Sequence, residues 1–391
     1  MTEQQKPAAK TVADTTTALD KGKSSRRRFL SGAGIAAGAA VATVAMPNVS
    51  RAQTVTLKFQ STWPSKDIFH EMAGDYATRV NEMSGGRLKL ELLAAGSVVP
   101  AFQMQDAVHS GVLDAGHGVS AYWYGKHKAF SLFGTVPPFG WDANGVLAWM
   151  AYGGGYKFYN ELLHDILKLN IVGFMSAPMP CQPLGWFKKE VKTADDFKNL
   201  KYRTVGLSAD VFKEMGAAVT IVAGGEIVPA MDRGLLDAAE FNNPSSDRVL
   251  GFPDVSKVFM LQSWHQSAEC FEIIFNKTKF DALSAEQKAV IKYAAEAASS
   301  DMSWKALDRY SRDLQELQSK DKVKVYTTPR SVQEAQLKAW DVVLKAQREE
   351  PFFDKVVKSQ LDWVRRTVRY ELLNTPSKQM AYNHTFAPKK G

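Results

Sequence analysis

The order of strand and helix patterns near the start of this chain restricts its fold more than any other feature of the sequence. Residues 54–63, TVTLKFQSTW, alternate apolar and polar side chains as a half-buried strand does. Residues 68–86 have the apolar spacing of a helix and end in two glycines, and residues 87–93 alternate again. A helix pattern at 101–110 and a strand pattern at 112–118 complete a βαβαβ order. This order predicts an α/β fold.

A short internal repeat raises the question of two similar lobes. Residues 107–116, AVHSGVLDAG, and residues 230–239, AMDRGLLDAA, align without gaps and share five identical positions. In both, a helix pattern stops at a glycine that can take the left-handed cap conformation, and a short apolar strand follows. Two interpretations stay open: a common local pattern, or two lobes that each aim a strand end at a shared cleft. In the second, residues 117–124 and 240–244 face each other where open α/β sheets bind ligands.

The first 52 residues are predicted to be an export signal. They contain eight Lys or Arg and three Asp or Glu, so they carry +5 of the formal net charge of +8. Residues 25–30, SRRRFL, resemble a twin-arginine export signal, and Ser50 and Ala52 are small residues suited to a cleavage site. The intervening run is too rich in Gly and Ala to favour a membrane span. We therefore expect a periplasmic protein, and the dispersed charge of the rest excludes a nucleic-acid surface.

Several kinds of chemistry find no support in the sequence. Cys181 and Cys270 are the only cysteines, and without a CxxC or Cys/His cluster neither haem, zinc nor an iron–sulfur site is predicted. Whether the two thiols pair or stay free remains open. His117 and His127 are predicted to be loop or surface residues and His265 a structural one. No G-x-S-x-G or H-E-x-x-H motif occurs, so we expect a protein that is not an enzyme.

Three polar residues near predicted strand ends suggest a site for a small acid. Arg203 lies in a predicted strand, where a buried and unpaired guanidinium would be costly. It either pairs with an acid of the protein or clamps a ligand carboxylate. Glu240 presents the same choice: it pairs with Arg203, or it holds Na⁺ or Ca²⁺ together with the amide oxygen of Gln182.

The chain resembles a known family over nearly all of residues 53–375. Four stretches carry the resemblance in order: QPLGWFKKE (182–190), DDFKNLKYRTVG (195–206), GGEIVPAMDRGLLDAAEFNNP (224–244) and SWHQSAECFEIIFN (263–276). They resemble the periplasmic solute-binding subunits of TRAP transporters, the DctP-like group. Within that group they are similar to the subgroup associated with 2-oxo acids, lactate and mannitol or chloroaromatic compounds.

The resemblance implies roles for individual residues. The family arginine that matches Arg203 binds the substrate carboxylate, which favours the clamp. In the 2-oxo acid and lactate subgroup, the residues matching Gln182, Glu240 and the main-chain carbonyl of Phe241 coordinate a metal that bridges the substrate oxygens. A tyrosine matching Tyr122 also touches the substrate. The implied function is capture of a small organic carboxylate, such as pyruvate or lactate, with a bridging cation and no organic cofactor.

Three departures from the family pattern leave the ligand and the cation open. Phe241 replaces a tryptophan, Asn242 and Asn243 replace a smaller pair, and Gln266 replaces a glutamate that relatives often carry. Asn242 and Trp186 are included among the predicted substrate-binding residues. With a single carboxylate at the site, Na⁺ is favoured over Ca²⁺.

Two alternatives accompany this prediction. One is a metal-free site for a bulkier aromatic acid, with Trp186, Phe241 and Trp264 as its walls. The other is an exported enzyme, which the lack of cofactor motifs disfavours.

The resemblance also implies a fold and partners. We expect an α/β protein with two lobes, like other periplasmic binding proteins, with an interlobe cleft and long connecting and C-terminal helices. The predicted lobe I comprises residues 53–177 and 265–305, and lobe II comprises residues 178–264 and 306–391. The predicted partners are a small organic acid, the membrane subunits of a TRAP permease and a second copy of the chain, bound through the C-terminal helices.

Overall fold

The structure is a computed structural model that describes residues 54–386, so the predicted export signal at 1–52 lies outside the described residues. The strands of this part are β1 (Val55–Ser61), β2 (Leu88–Leu93), β3 (Ala115–Gly118), β4 (Ile171–Met179), β5 (Gly185–Phe187), β6 (Lys201–Arg203), β7 (Ala218–Thr220), β8 (Ala238–Ala239), β9 (Val258–Leu261), β10 (Glu269–Asn276) and β11 (Lys324–Thr327). The helices are α1 (Ile68–Met83), α2 (Met104–Ser110), α3 (Ala143–Tyr152), α4 (Gly155–Asn160), α5 (Leu207–Glu214), α6 (Gly224–Asp232), α7 (Pro244–Leu250), α8 (Phe252–Val255), α9 (Lys277–Asp281), α10 (Ala285–Ser319), α11 (Arg330–Gln347), α12 (Pro351–Asn374) and α13 (Lys378–Phe386).

The first sheet confirms the βαβαβ start of the fold. Its strand order is β2-β1-β3-β10-β4, with β1 parallel to β2 and β3 and with β10 antiparallel to β3 and β4. Helix α1 begins where the Asp67 carboxylate accepts a hydrogen bond from the Phe69 N–H (3.0 Å), and its buried face packs on β2.

The second sheet completes the two-lobed α/β architecture that we predicted. Its order is β11-β9-β5-β8-β6-β7, with β6 parallel to β7 and β8, and with β5 antiparallel to β8 and β9. The central strands are short, because β5 has three residues and β8 has two.

The two repeated segments occupy equivalent places in the two sheets. Helix α2 ends at Gly111 (φ 83°) and leads into β3, and helix α6 is followed by Gly234 (φ 72°) and β8. Each repeat carries an aspartate that bonds the neighbouring strand in the same way. Asp114 Oδ2 accepts from a main-chain N–H of β1 (2.6 Å), and Asp237 Oδ2 accepts from one of β6 (3.3 Å). The repeat therefore marks two similar lobes.

The chain passes between the sheets at three places. Short segments join β4 to β5 and β9 to β10, and α10 lies between β10 and β11. Where both short segments meet the first sheet, β10 bulges between Glu269 and Phe271, and Ala177 of β4 has a left-handed φ of 52°. The Ala177 N–H donates to Ser299 Oγ of α10 (3.1 Å). The place where both connecting segments meet the first sheet is thus linked to helix α10 through Ala177.

Helix α10, with 35 residues, contacts elements on both sides of the cleft. Its buried stripe, which includes Val290, Ile291 and Met302, packs against α1 and β4 near the first sheet and against α7 near the second. In residues 54–386, neither this helix nor any other is both long and apolar enough to cross a membrane.

Helix α12 packs on elements of the first lobe. The Trp149 Nε1 donates to Ser359 Oγ (3.1 Å), and Gln360 Nε2 donates to the carbonyl oxygen of Leu132 (2.7 Å). We therefore propose that residues 351–374 belong with lobe I, although the sequence prediction placed them in lobe II. The other predicted lobe boundaries stay predictions.

Candidate functional site

A small cavity lies where strand ends from the two sheets meet. It is nearly closed in this structure, with a volume of only about 10 Å³ that a water-sized molecule could enter. Larger grooves lie along α12 and between α3 and α10, but their charged residues are solvent-exposed. Residues that follow the carboxyl ends of β1, β3, β6 and β8 line the cavity, in the position where open α/β sheets bind ligands. The lining residues are Trp63, Phe69, Val119, Tyr122, Gln182, Arg203, Val205, Phe241, Asn242 and Glu269.

Arg203 ends β6 and lines this cavity with a side chain that is 1% exposed. Its Nε donates to the carbonyl oxygen of Val222 (3.0 Å), and its Nη1 donates to the main-chain oxygen and to Oε1 of Glu240 (2.9 Å each). Within residues 54–386, Nη2 has no hydrogen-bond partner. The protein therefore fixes and partly neutralises one side of the guanidinium and leaves the other side for an anion.

Two further oxygens next to this ion pair lack partners. Gln182 Nε2 donates to the carbonyl oxygen of Phe241 (3.2 Å), but Gln182 Oε1 has no partner in the described part of the chain, and neither has Glu240 Oε2. Burial raises the pKa of Glu240 to about 7, although the charge of Arg203 opposes the shift. The structure thus brings Arg203, Gln182, Glu240 and Phe241 together.

Glu269 is a second carboxylate at the cavity, and the sequence analysis missed it. It accepts hydrogen bonds from Gln182 Nε2 (3.1 Å) and from Asn242 Nδ2. Burial raises its pKa to about 8. The premise of a single carboxylate was therefore wrong, and the preference for Na⁺ over Ca²⁺ loses its basis. Glu269 lies in the stretch 263–276 that carried the family resemblance, but only Gln266 of that stretch was considered as a possible site residue.

Tyr122 and Asn242 also line the cavity, and their side chains make different contacts there. The Tyr122 ring packs against Phe102, with ring centroids 4.8 Å apart. Asn242 is already engaged, because its amide nitrogen donates to Glu269 and its amide oxygen accepts from Asn243 Nδ2 (3.1 Å). Asn242 therefore orients Glu269.

Trp186 does not line the cavity. Its ring stacks on Phe259 with centroids 4.5 Å apart, and its Nε1 donates to Asp247 Oδ2 (2.7 Å). Asp247 in turn accepts from the main-chain N–H of Asn242 (3.3 Å), so Trp186 supports the cavity wall from behind. Trp264 is not a lining residue either. Of the three walls predicted for an aromatic acid, only Phe241 lines the cavity.

The structure settles one prediction and one open question about other residues. His117 lies fully buried in β3, so the prediction of a loop or surface residue was wrong. Cys181 and Cys270 are both free, which answers the question left open by the sequence.

The buried charges around the cavity are unbalanced. Around the cavity, Asp67, Glu240, Asp247 and Glu269 are buried, whereas Arg203 is the one buried Lys or Arg in the described residues. Burial raises the pKa of Asp67 to about 7 and that of Asp247 to about 8. A cation would favour ionisation of the nearer carboxyl groups. Residues 54–386 contain no cluster of three His, Cys, Asp or Glu suited to a metal, so amide and main-chain oxygens must contribute. This donor set fits Na⁺ or Ca²⁺.

Comparison with known proteins places the chain in a family. The model of the bacterial extracellular solute-binding protein family 7, DctP, matches residues 59–350. The chain belongs to this family. It is a solute-binding protein of the TRAP type, and the resemblance inferred from four short stretches is confirmed.

Similar members of the family have assigned ligands. The monocarboxylate 2-oxoacid-binding periplasmic protein of Nostoc sp. (strain PCC 7120) is 34% identical over 69% of this chain and 74% of its own length. A TRAP solute-binding protein from Bordetella bronchiseptica RB50, a dimer with copurified calcium and picolinate, has 27% identity and a TM-score of 0.80 over 86% of this chain and 98% of that one. One from Pseudoalteromonas atlantica T6c, with bound sodium and pyruvate, has 29% identity and a TM-score of 0.78 over 85% and 100%. The shared fold confirms the two-lobed class.

Proposed function

We propose that this protein binds a small 2-oxo or 2-hydroxy monocarboxylate, such as pyruvate or lactate, and delivers it to the membrane subunits of a TRAP permease. The observation that carries the proposal is the unpartnered Nη2 of Arg203, on a side chain 1% exposed that lines the cavity. A buried donor without a partner is costly, and a carboxylate suits guanidinium geometry. The pyruvate and picolinate of the related structures both carry a carboxylate beside an oxygen or nitrogen acceptor.

We infer that a cation shares the site. Gln182 Oε1, Glu240 Oε2 and the carbonyl oxygen of Phe241 would hold it, and when bound it would attract the oxo or hydroxyl oxygen beside the ligand carboxylate. Glu269 adds a second carboxylate nearby. The related proteins carry calcium or sodium, so we propose that either ion can occupy this site.

Separation and closure of the lobes would admit and enclose the ligand. Nine of the ten lining residues are buried, and they come from both lobes. Phe69 of the first lobe contacts Phe241 of the second, with ring centroids 6.3 Å apart, and Ser246 Oγ donates across the same gap to Asp67 (2.6 Å). A ligand can enter only when such contacts break, as in hinge closure.

The protein would act by binding, not by catalysis. The family to which the chain belongs consists of solute-binding proteins. The family is extracellular, and the twin-arginine pattern at residues 25–30 supports a periplasmic location.

Calorimetry on refolded protein, free of copurified ligand, tests this function. Pyruvate, lactate and picolinate are titrated in buffer with calcium, with sodium or with neither. We expect Arg203→Ala to weaken binding by roughly 30-fold or more, because one partner of a buried charge pair is lost. Arg203→Lys keeps the charge but not the fork, so its loss should be smaller.

Arg248→Ala is the matched control, because Arg248 binds Asp321 (2.6 Å) away from the cavity. It should keep the wild-type affinity. Unchanged affinity in Arg203→Ala would rule out the carboxylate clamp. Binding of picolinate but not pyruvate, independent of metal, would support the aromatic-acid alternative.

We also propose a homodimer through the C-terminal helices. Helices α12 and α13 expose Leu372 (80%), Leu373 (78%), Met380 (74%) and Phe386 (68%). Exposed apolar patches of this kind commonly mark interaction sites.

A further inference from the structure

The cavity has a polar half and an apolar half. Gln182, Arg203, Asn242 and Glu269 bring the polar groups, Tyr122 adds a ring with a hydroxyl group, and five aromatic or aliphatic side chains form the rest of the wall. These are Trp63, Phe69, Val119, Val205 and Phe241. If the ligand carboxylate binds Arg203, as proposed above, its substituent must lie against the apolar half.

Trp63 belongs to the apolar half and is connected to the guanidinium through two intervening rings. A line of contacts leads there: Arg203 Cζ lies 5.8 Å from the Phe241 ring centre, Phe241 and Phe69 have centroids 6.3 Å apart, and Phe69 and Trp63 have centroids 5.0 Å apart. Trp63 follows β1 and is 2% exposed. It therefore closes the space into which a longer substituent would extend.

Several contacts immobilise the Trp63 ring. It packs against Phe271 and Tyr122, with centroids 5.0 and 5.9 Å away. Its Nε1 donates to His117 Nδ1 (2.8 Å). Of the five apolar lining residues, only Trp63 has a side-chain hydrogen bond that fixes its ring. A tightly packed wall of this kind resists insertion of extra methylene groups.

We propose that Trp63 is the specificity-determining residue that limits the ligand to 2-oxo monocarboxylates with a short aliphatic substituent, and that His117 is its positioning residue. The inference rests on the proposed function and adds the size limit. The cavity offers a dicarboxylate no second buried cationic side chain, since Arg203 is the one buried Lys or Arg in residues 54–386.

His117 can keep this role over a wide pH range. Burial lowers its pKa to about 3, so the ring stays neutral and Nδ1 stays a hydrogen-bond acceptor. The hydrogen bond from Trp63 places the ring proton on Nε2.

A ligand series tests the size limit. Pyruvate, 2-oxobutyrate, 2-oxopentanoate and 2-oxohexanoate are titrated by calorimetry into the full refolded protein. Wild type should lose about tenfold in affinity, or more, for each methylene that the cavity cannot hold. Trp63→Leu should shift the preference towards longer acids by about tenfold. Trp63→Phe, which is milder and safer for folding, should shift it in the same direction by less.

Trp340→Leu is the matched control, since Trp340 is 2% exposed and bonds the carbonyl oxygen of Trp264 (2.8 Å) outside the cavity. It should keep the wild-type order of affinities. Unchanged affinity ratios among the four acids in both Trp63 variants would overturn the size limit while leaving the proposed function intact. If wild type binds none of the series, the proposed function fails and the inference falls with it.

The positioning role of His117 has its own readout. His117→Phe should reduce the affinity ratio between pyruvate and 2-oxohexanoate, and His117→Gln, which retains an acceptor, should restore part of it. A merely structural role would lower every affinity equally and leave the ratio unchanged, which would contradict the assignment.

Discussion

Glu269 and Gln266 lie three positions apart, yet only Glu269 lines the cavity. Alternation could not single out Glu269, because every residue of β10 is buried and the strand shows no apolar–polar alternation, and Gln266 precedes this strand. The bulge between Glu269 and Phe271 also shifts the register at this point. Pattern analysis assumes a regular strand, and this residue lies where the strand is irregular.

Other cavity residues could be predicted from the sequence. Arg203, Gln182 and Phe241 line the cavity because each lies just past or at the end of a strand. The same rule would have found Trp63 after β1, had it been applied there. Trp186 was predicted to bind the substrate, but it does not line the cavity. Its partner Asp247 comes from α7, 61 residues away, and no local pattern reveals that contact.

A buried acid at the lobe interface should make stability depend on pH. Asp67 has a pKa of about 7 in the folded protein, raised from 3.8 by burial. Its contribution to the free energy of unfolding is fully present below pH 3.8 and is lost as pH rises through 7. The shift corresponds to roughly 4 kcal/mol at most. In EDTA, urea unfolding should therefore show a smaller loss of stability between pH 5 and 8 for Asp67→Asn than for wild type.

The exposed Asp281 provides the control for this measurement. Its pKa is lowered by the hydrogen bond from Lys277, so its titration is complete below the tested range. Asp281→Asn should reproduce the wild-type slope. Equal slopes in wild type and Asp67→Asn would show that Asp67 does not titrate as described.

At the scale of elements, the long periodic segments were predictable and the short ones were not. Strand β1, helix α1 and strand β2 appeared where alternation and helical spacing indicated them. Strands β5 and β8 are too short for any period to show. The second lobe was inferred from the family resemblance and from the repeat, whose glycines and aspartates recur at matching structural positions.

Gly234, which ends the helix pattern of the second repeat, should be required for the local backbone conformation. Gly234 has φ 72°, and a Cβ added there would meet nothing within 4 Å. Gly234→Ala should lower the free energy of unfolding by about 1 kcal/mol, because an L residue is strained in this region. Urea unfolding measures the change.

Gly125→Ala is the matched control for that substitution. An added Cβ at Gly125 also meets nothing within 4 Å, and Gly125 has no positive φ. It should leave stability unchanged or raise it by up to about 1 kcal/mol. Equal effects of the two substitutions would mean that backbone strain is not the cause.

At the scale of the whole molecule, the exposed C-terminal helices predict self-association. Size-exclusion chromatography with light scattering should give about twice the chain mass for wild type. Leu372→Glu combined with Leu373→Glu should give the mass of one chain, since charges would replace the apolar contact. Leu235→Glu, at a residue 60% exposed in the second lobe, should leave the dimer intact. A monomeric wild type, or a dimer in the double variant, would contradict the proposal.

The junction of Ala177, the β10 bulge and Ser299 has a consequence for how a ligand is released. Glu269 begins β10 at that junction, while Trp63 follows β1, in the same sheet, and Arg203 ends β6, in the other sheet. If the two lobes rotate about this junction when the cleft opens, residues near the junction move little and residues far from it move most. Arg203 and Glu240 are hydrogen-bonded to each other and both lie at strand ends of the second sheet, so they should move together. We expect the substituent of the ligand to lose its contact with Trp63 of the first lobe before the carboxylate and the ion are released from the second.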